Sequence, residues 1–317
     1  MRTRTLALSA IIAVCGGCTQ TDRPDDPSMG DTSASDPGIV EVVARDLTLD
    51  APDTVPPGWT TFRFTNTSPM IHFAVVERMP EGRGLVAQQE EVAPVFQNGF
   101  DLLAAGEMDA AMAEFGTLPA WFGEIVFLGG PGLTSPGVTS QASVYLEPGT
   151  YLLECYVKTD GLFHSYNPEP GMYGMVHEFT VTGEPSGASE PEPTLRLTIS
   201  SEGGIEMAGP VLAGDHTVAV DFTDQTVHEN FVEHDVHLVR LDEDADLEAL
   251  ERWMDWTLPG GLESPAPAVF LGGLNEMPAG STGYFTVSLE PGTYAWIAEV
   301  PGASDKDMLV PFSVPDA

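Results

Sequence analysis

The sequence predicts an all-β protein built as two β-sandwiches in tandem, and three observations predict it. First, VFLGG occurs at Val126–Gly130 and again at Val269–Gly273, and LEPGTY at Leu146–Tyr151 and at Leu289–Tyr294. Both pairs are separated by 143 positions, a shared register that marks an internal repeat. Second, each copy contains period-2 stretches rich in Val, Thr, Phe and Tyr, such as TTFRFTN (60–66), ASVYLEPGTYLLECYV and YFTVSLEPGTYAWIAEV. Pro-Gly pairs interrupt them, the pattern of strands joined by turns. Third, 317 residues with 42% apolar side chains suffice for a core of ordinary size in each copy.

Taken in order, residues 1–18 (MRTRTLALSAIIAVCGGC) combine a basic start at Arg2 and Arg4 with a short apolar core from Leu6 to Val14. A bilayer needs roughly 20 apolar residues to be spanned, so this is expected to be a secretory signal and not an anchor helix. Gly16 and Gly17 before Cys18 resemble the lipobox of bacterial lipoproteins, which implies signal cleavage and a lipid on Cys18. Residues 19–38 hold almost no large apolar side chain and read as a flexible acidic tether.

The first copy is expected over 39–183, with a helical insertion in LVAQQEEVAPVFQNGFDLLAAGEMDAAMAEF. Residues 184–193 read as a linker, and 194–317 as a second, degenerate copy with a shorter helix in DLEALERWMDW. HFAVVERM from His72 resembles HLVRLDED from His237, and MVHEFTV from Met175 resembles MLVPFSV from Met308, at offsets that imply loops of unequal length. The acidic run Asp242–Asp246 lacks the glycine and closing glutamate of a calcium loop and reads as charge at a helix N-terminus.

Asp and Glu number 48 against 12 Lys and Arg, a formal charge of −36. Such a surface repels phosphate backbones and anionic lipid headgroups, which argues against nucleic-acid binding and electrostatic membrane docking. In the mature chain no glycine-rich phosphate loop, HExxH or zinc-spaced cysteine pair occurs. His164 and Ser165 are adjacent, an arrangement that rarely makes a nucleophile and base pair, and no nucleophile elbow accompanies them.

With Cys18 lipidated and Cys15 removed with the signal, Cys155 is the one thiol of the mature chain. Exported compartments are oxidising, so a solitary thiol is expected to be buried or ligated. Strand alternation over 151–157 places Tyr151, Leu153, Cys155 and Val157 on one face, taken as the inner one. A buried cysteine acting as a small hydrophobe satisfies this equally. The alternative comes from what accompanies it: His164 after eight intervening residues, Met175 after ten more, and His72 far upstream. Two imidazoles, a thiolate and a thioether form the ligand chemistry of blue copper.

On these residues the chain resembles the cupredoxin family. PGTYLLECYV is similar to the penultimate cupredoxin strand ending at the cysteine, GMVHEFTV from Gly174 to the methionine and last strand, and FTNTSPMIH to the segment delivering the first histidine. The resemblance implies tandem Greek-key β-sandwiches and copper, with His72 and His164 as equatorial nitrogens, Cys155 as thiolate and Met175 as axial ligand. Typical members place two to four residues between the cysteine and histidine; the longer gaps here leave Met172 as a rival to Met175. His177, beyond Met175, reads as a surface or edge residue.

In the second copy Ala298 stands at the position of Cys155 and no histidine follows His237, so no thiolate site is expected there. HENFVEHDVH brings His228, His234 and His237 close in sequence, which leaves a histidine-only metal site or solvated polar surface as alternatives. The HxH motifs that tandem copper oxidases carry are absent. The expected function is therefore an exported, lipid-anchored carrier of one copper ion that passes electrons or handles copper. It is not expected to be an enzyme, and its partner is an envelope redox or surface protein. A copper-free surface binding module is the alternative.

Overall fold

A computed structural model describes residues 38–316, so the signal, Cys18 and nearly all of the tether lie outside the described residues. The first copy supplies β1 (Ile39–Arg45), β2 (Thr48–Asp50), β3 (Thr54–Val55), β4 (Gly58–Asn66), β5 (Val75–Arg78), β6 (Val126–Phe127), β7 (Thr139–Leu146), β8 (Gly149–Glu154), β9 (Lys158–Thr159), β10 (Leu162–Phe163) and β11 (Val176–Val181). The second supplies β12 (Leu195–Ser200), β13 (Gly204–Met207), β14 (Gly214–Phe222), β15 (Val236–Leu241), β16 (Val269–Leu274), β17 (Thr282–Leu289), β18 (Gly292–Ile297) and β19 (Leu309–Val314). This is the all-β pair of sandwiches that the repeat predicts.

Each sandwich closes because its strands alternate. In β4, Thr60, Phe62, Phe64 and Asn66 are buried while the residues between them are half-exposed. Phe62 packs edge-on against Phe179 of β11, with ring centroids 6.0 Å apart, joining the two layers of the first sandwich. Those layers are β2-β1-β4-β7 and the five-stranded sheet β3-β11-β8-β5-β6; the second copy repeats them as β13-β12-β14-β17 and β19-β18-β15-β16.

The copies are fused, not strung together. β7 and β17 are equivalent at the offset of 143, and they pair antiparallel with Ala142 opposite Phe285, Ser143 opposite Tyr284 and Gln141 opposite Thr286. Ala142 and Phe285 are themselves equivalent, so the pairing is self-complementary, as across a twofold axis. It merges two four-stranded layers into one eight-stranded sheet, and each copy covers the other's edge. Residues of the 184–193 segment lie along this sheet: Ser186 Oγ donates to the Trp59 carbonyl, and Tyr284 donates to Glu190.

Strand pairing corrects one sequence alignment. Val75 lies opposite Glu154 in the first copy and His237 opposite Ile297 in the second, and Glu154 and Ile297 are equivalent. His237 therefore corresponds to Val75, and His234, not His237, corresponds to His72. Two ion pairs share this register, Arg78–Glu147 at 2.6 Å and Arg240–Glu290 at 3.3 Å. The strands are apolar enough that a shift of three residues still matches by eye.

The helical insertions form as expected. The first runs from α1 (Leu85–Ala87) through a wide π turn at Gln88–Val92 into α2 (Ala93–Ala104), followed by α3 (Met108–Phe115). The second is α4 (Leu247–Met254), whose first turn is capped by Asp246 accepting from the Ala249 amide at 3.0 Å. The acidic run is thus partly a helix cap, as its position suggests.

Candidate metal centre

His72 leaves β4 on a short loop that Asn66 holds: its Nδ2 donates to the carbonyls of Met70 and Thr134, both at 2.8 Å, and its Oδ1 accepts from the Ser68 amide. The His72 backbone then pairs with Thr134 in both directions. Cys155 follows the last residue of β8. Tyr151, Leu153, Cys155 and Val157 are all fully buried, as alternation requires, but Leu152 and Glu154 on the other face are buried too, because the helical insertion covers that face.

The two long gaps are closed excursions. After Cys155 the chain runs out along β9, turns at Asp160 and Gly161 and returns along β10, so that the His164 amide donates to the Val157 carbonyl at 2.8 Å. The second excursion closes where the Met175 amide donates to the His164 carbonyl at 2.6 Å, and the Cys155 amide in turn donates to the Met175 carbonyl at 3.1 Å. Gly174 permits this closure: a Cβ there would stand 2.1 Å from the Ser165 carbonyl. Cysteine, histidine and methionine are thereby set side by side in spite of their sequence separation.

The donor atoms converge. His72 Nδ1 lies 3.4 Å from Cys155 Sγ and 3.2 Å from His164 Nδ1, and the third edge, Cys155 Sγ to His164 Nδ1, is 3.9 Å. A point equidistant from all three lies about 2 Å from each, within the roughly 2.0–2.3 Å range of metal–nitrogen and metal–sulfur bonds. His72 and Cys155 are fully buried and His164 is 3% exposed. Met175 is fully buried beside Cys155 in the core, whereas Met172 is 57% exposed on the second excursion. The rivalry between the two methionines is thus unequal.

Electrostatics prepares the group for a cation. Burial pulls His72 down to about 4 and His164 down to about 3, the latter helped by the neighbouring His72, so both rings are neutral lone-pair donors at neutral pH. Burial pushes the Cys155 thiol up to about 12, against hydrogen bonds from the Phe73 and Val157 backbone, so the thiol must release its proton to ligate. Thr159 fixes the tautomer of His164. Its hydroxyl donates to Met70 Sδ at 3.3 Å, leaving its oxygen to accept from His164 Nε2 at 2.9 Å, which keeps the proton on Nε2 and the lone pair on Nδ1.

Several contributors carried no signal in the sequence. Gln89 Oε1 accepts from the Gly174 amide at 2.7 Å while its Nε2 donates to the Ser165 carbonyl, so the π turn clasps both ends of the second excursion. The second copy clamps the β9–β10 hairpin: the Lys158 ammonium donates to the Trp256 carbonyl at 2.6 Å, and the Lys158 amide to the Leu262 carbonyl. Only a tertiary structure brings these positions to the centre.

The remaining histidines separate. His177 lies on β11 with its Nε2 beside the Pro52 carbonyl at 3.4 Å, an edge residue as expected. His237 accepts from the Leu133 amide on Nδ1 and meets Asp235 on Nε2 at 2.7 Å, which ties β15 to a first-copy loop. His228 and His234 face one another with ring centroids 5.3 Å apart. The three-histidine cluster is therefore a pair plus a separate residue.

No protein-family model matches the chain, and no curated protein matches it. Among solved structures it is similar to a reduced auracyanin from Roseiflexus castenholzii, at 21% identity and a TM-score of 0.26, over 46% of this chain and 98% of that one. Auracyanin A from Chloroflexus aurantiacus, a blue copper protein, is similar at 19% identity and 0.26, over 45% and 98%. A copper-containing nitrite reductase from Thermus scotoductus is similar at 13% identity and 0.21, over 87% of this chain and 61% of that one.

Proposed function

We propose that this chain binds one copper ion through the Cys155 thiolate and the Nδ1 atoms of His72 and His164, with Met175 as the axial sulfur, for electron transfer or copper handling. The observation that carries the reading is the buried triangle of one sulfur and two nitrogens with edges of 3.4, 3.2 and 3.9 Å. Soft sulfur favours Cu(I) and imidazole serves both oxidation states, so this donor set fits copper better than a hard cation. Copper held there supplies a one-electron redox change.

The chain's own residues do the rest. Thr159 presents the lone pair of His164, Asn66 holds the loop of His72, and the closed hairpin fixes the distance between Cys155 and His164. Phe73 and Val157 donate backbone hydrogen bonds toward Cys155 Sγ and so favour the thiolate. Burial of all three donors excludes water and any substrate, which supports a carrier over a catalyst.

No helix among the described residues is long and apolar enough to cross a membrane. We place the chain in the cell envelope, tethered by a lipid on Cys18, with membrane contact through that lipid alone and a redox or surface protein as partner. Mature protein given Cu(II) is expected to show an intense thiolate-to-copper absorption that saturates at one equivalent of copper and is lost in Cys155→Ser. Colourless wild-type protein, produced with its signal replaced and copper supplied, overturns the proposal.

A further inference from the structure

The second copy retains half of the first copy's donor pattern. The Ala298 amide donates to the Met308 carbonyl at 3.0 Å, and the Met308 amide donates to the Ala303 carbonyl at 2.7 Å. These are the same two closures that tie Cys155 to Met175 and Met175 to His164. Ala298, Ala303 and Met308 therefore occupy the positions of Cys155, His164 and Met175, and strand register assigns His234 to the position of His72. The thiol and one imidazole have become methyl groups, while the other histidine and the methionine remain buried.

A second imidazole is nevertheless present. His228, from the segment preceding β15, presents its ring to His234 at 5.3 Å between centroids and 44° between planes, close to the 4.9 Å and 52° of His72 and His164. His234 is fully buried, and neither of its ring nitrogens has a hydrogen-bond partner; the buried Nε2 of His228 has none either. An orphaned buried polar atom is costly, and native proteins keep few of them without an ion or water to satisfy them. The Asp224 carboxylate stands 3.6 Å from His234 Nδ1, too far for a hydrogen bond but near enough to balance a cation. Burial holds both imidazoles below their ordinary range, with Lys306 adding to the effect on His228 and Asp224 opposing it on His234.

We propose that His228 and His234 form a second, thiolate-free metal site for a borderline divalent ion, zinc or cupric copper. Two imidazoles suit either ion, with solvent completing the set and the Asp224 carboxylate beside it as balancing charge. Lacking a thiolate, copper there adds no intense charge-transfer band. The site does not depend on the first, and colour and stoichiometry report the two separately.

The test uses the full chain carrying Cys155→Ala and His164→Ala, which gives the first copy the same two alanines as the second. Zinc and cupric ions titrated into this variant by calorimetry, with metal analysis, are expected to bind at one ion per chain. Adding His228→Ala, at a half-buried position, weakens binding by more than about tenfold, and His234→Asn does the same. His216→Ala, whose ring is engaged with Leu212 and Thr194, leaves it unchanged. Thermal melts by circular dichroism identify any variant that fails to fold, and His228→Ala then decides. No binding of either ion by the background variant, or equal affinity with and without His228, overturns the proposal.

Discussion

At Cys155 the neighbourhood decides what the side chain is. Enclosed in the core, the thiol is a neutral hydrophobe; two imidazole lone pairs beside it make it a ligand that has yet to lose its proton. The second layer is equally specific. Thr159→Val keeps the volume and removes the acceptor of His164 Nε2–H, so copper affinity is expected to fall by about 10–100-fold while the absorption band survives, as a chelator competition titration would register. Gly174→Ala tests the closure of the second excursion. Its new Cβ meets the Ser165 carbonyl, and a cost of about 1–3 kcal/mol is expected in denaturant unfolding, together with weaker copper binding.

Among the elements, the β9–β10 hairpin turns a long sequence gap into a short spatial one. It is held from one side by α2, where Gln97 Nε2 donates to the Gly161 carbonyl at 3.0 Å and Gln97 Oε1 accepts from the Phe163 amide at 2.9 Å. Gln97→Ala leaves that buried amide unpaired, a loss of about 1–3 kcal/mol, and loosens His164 next to it. Reduced thermal stability and faster amide exchange confined to 158–164 are the expected readouts; unchanged exchange there would show that the helix is not what holds the hairpin. The length of the gap between Cys155 and His164 therefore does not measure the rigidity of the centre.

Across the whole molecule, the pseudo-twofold pairing of β7 with β17 makes the copies one body and leaves a cavity of ≈ 70 Å³ whose lining includes Glu77 from the first copy and Glu276 from the second. Burial raises both carboxyls, Glu276 to about 8, with the Asp235 charge adding to it. A carboxyl whose folded value lies above its unfolded one binds more protons when folded. The stability it contributes is complete below about 4.5 and is lost as the pH rises through about 8. The unfolding free energy is therefore expected to decline across that window, and Glu276→Gln to flatten the decline, as denaturant titrations at a series of pH values would measure.

Much of the fold and part of the centre were legible in the sequence. The offset of 143 positions disclosed the repeat, period-2 alternation placed Cys155 inward, and the kinds of residue accompanying it pointed to copper as the candidate ion. These are local properties, set by strand geometry and donor chemistry, and they hold wherever the strand comes to lie. What joined His72 to His164, buried Met175 and left Met172 outside, moved the alignment of His72 from His237 to His234, and paired His228 with His234 was decided by the folded chain. Each depends on hydrogen bonds or ring contacts between residues that sequence spacing does not show to be neighbours, and only packing fixes such distances.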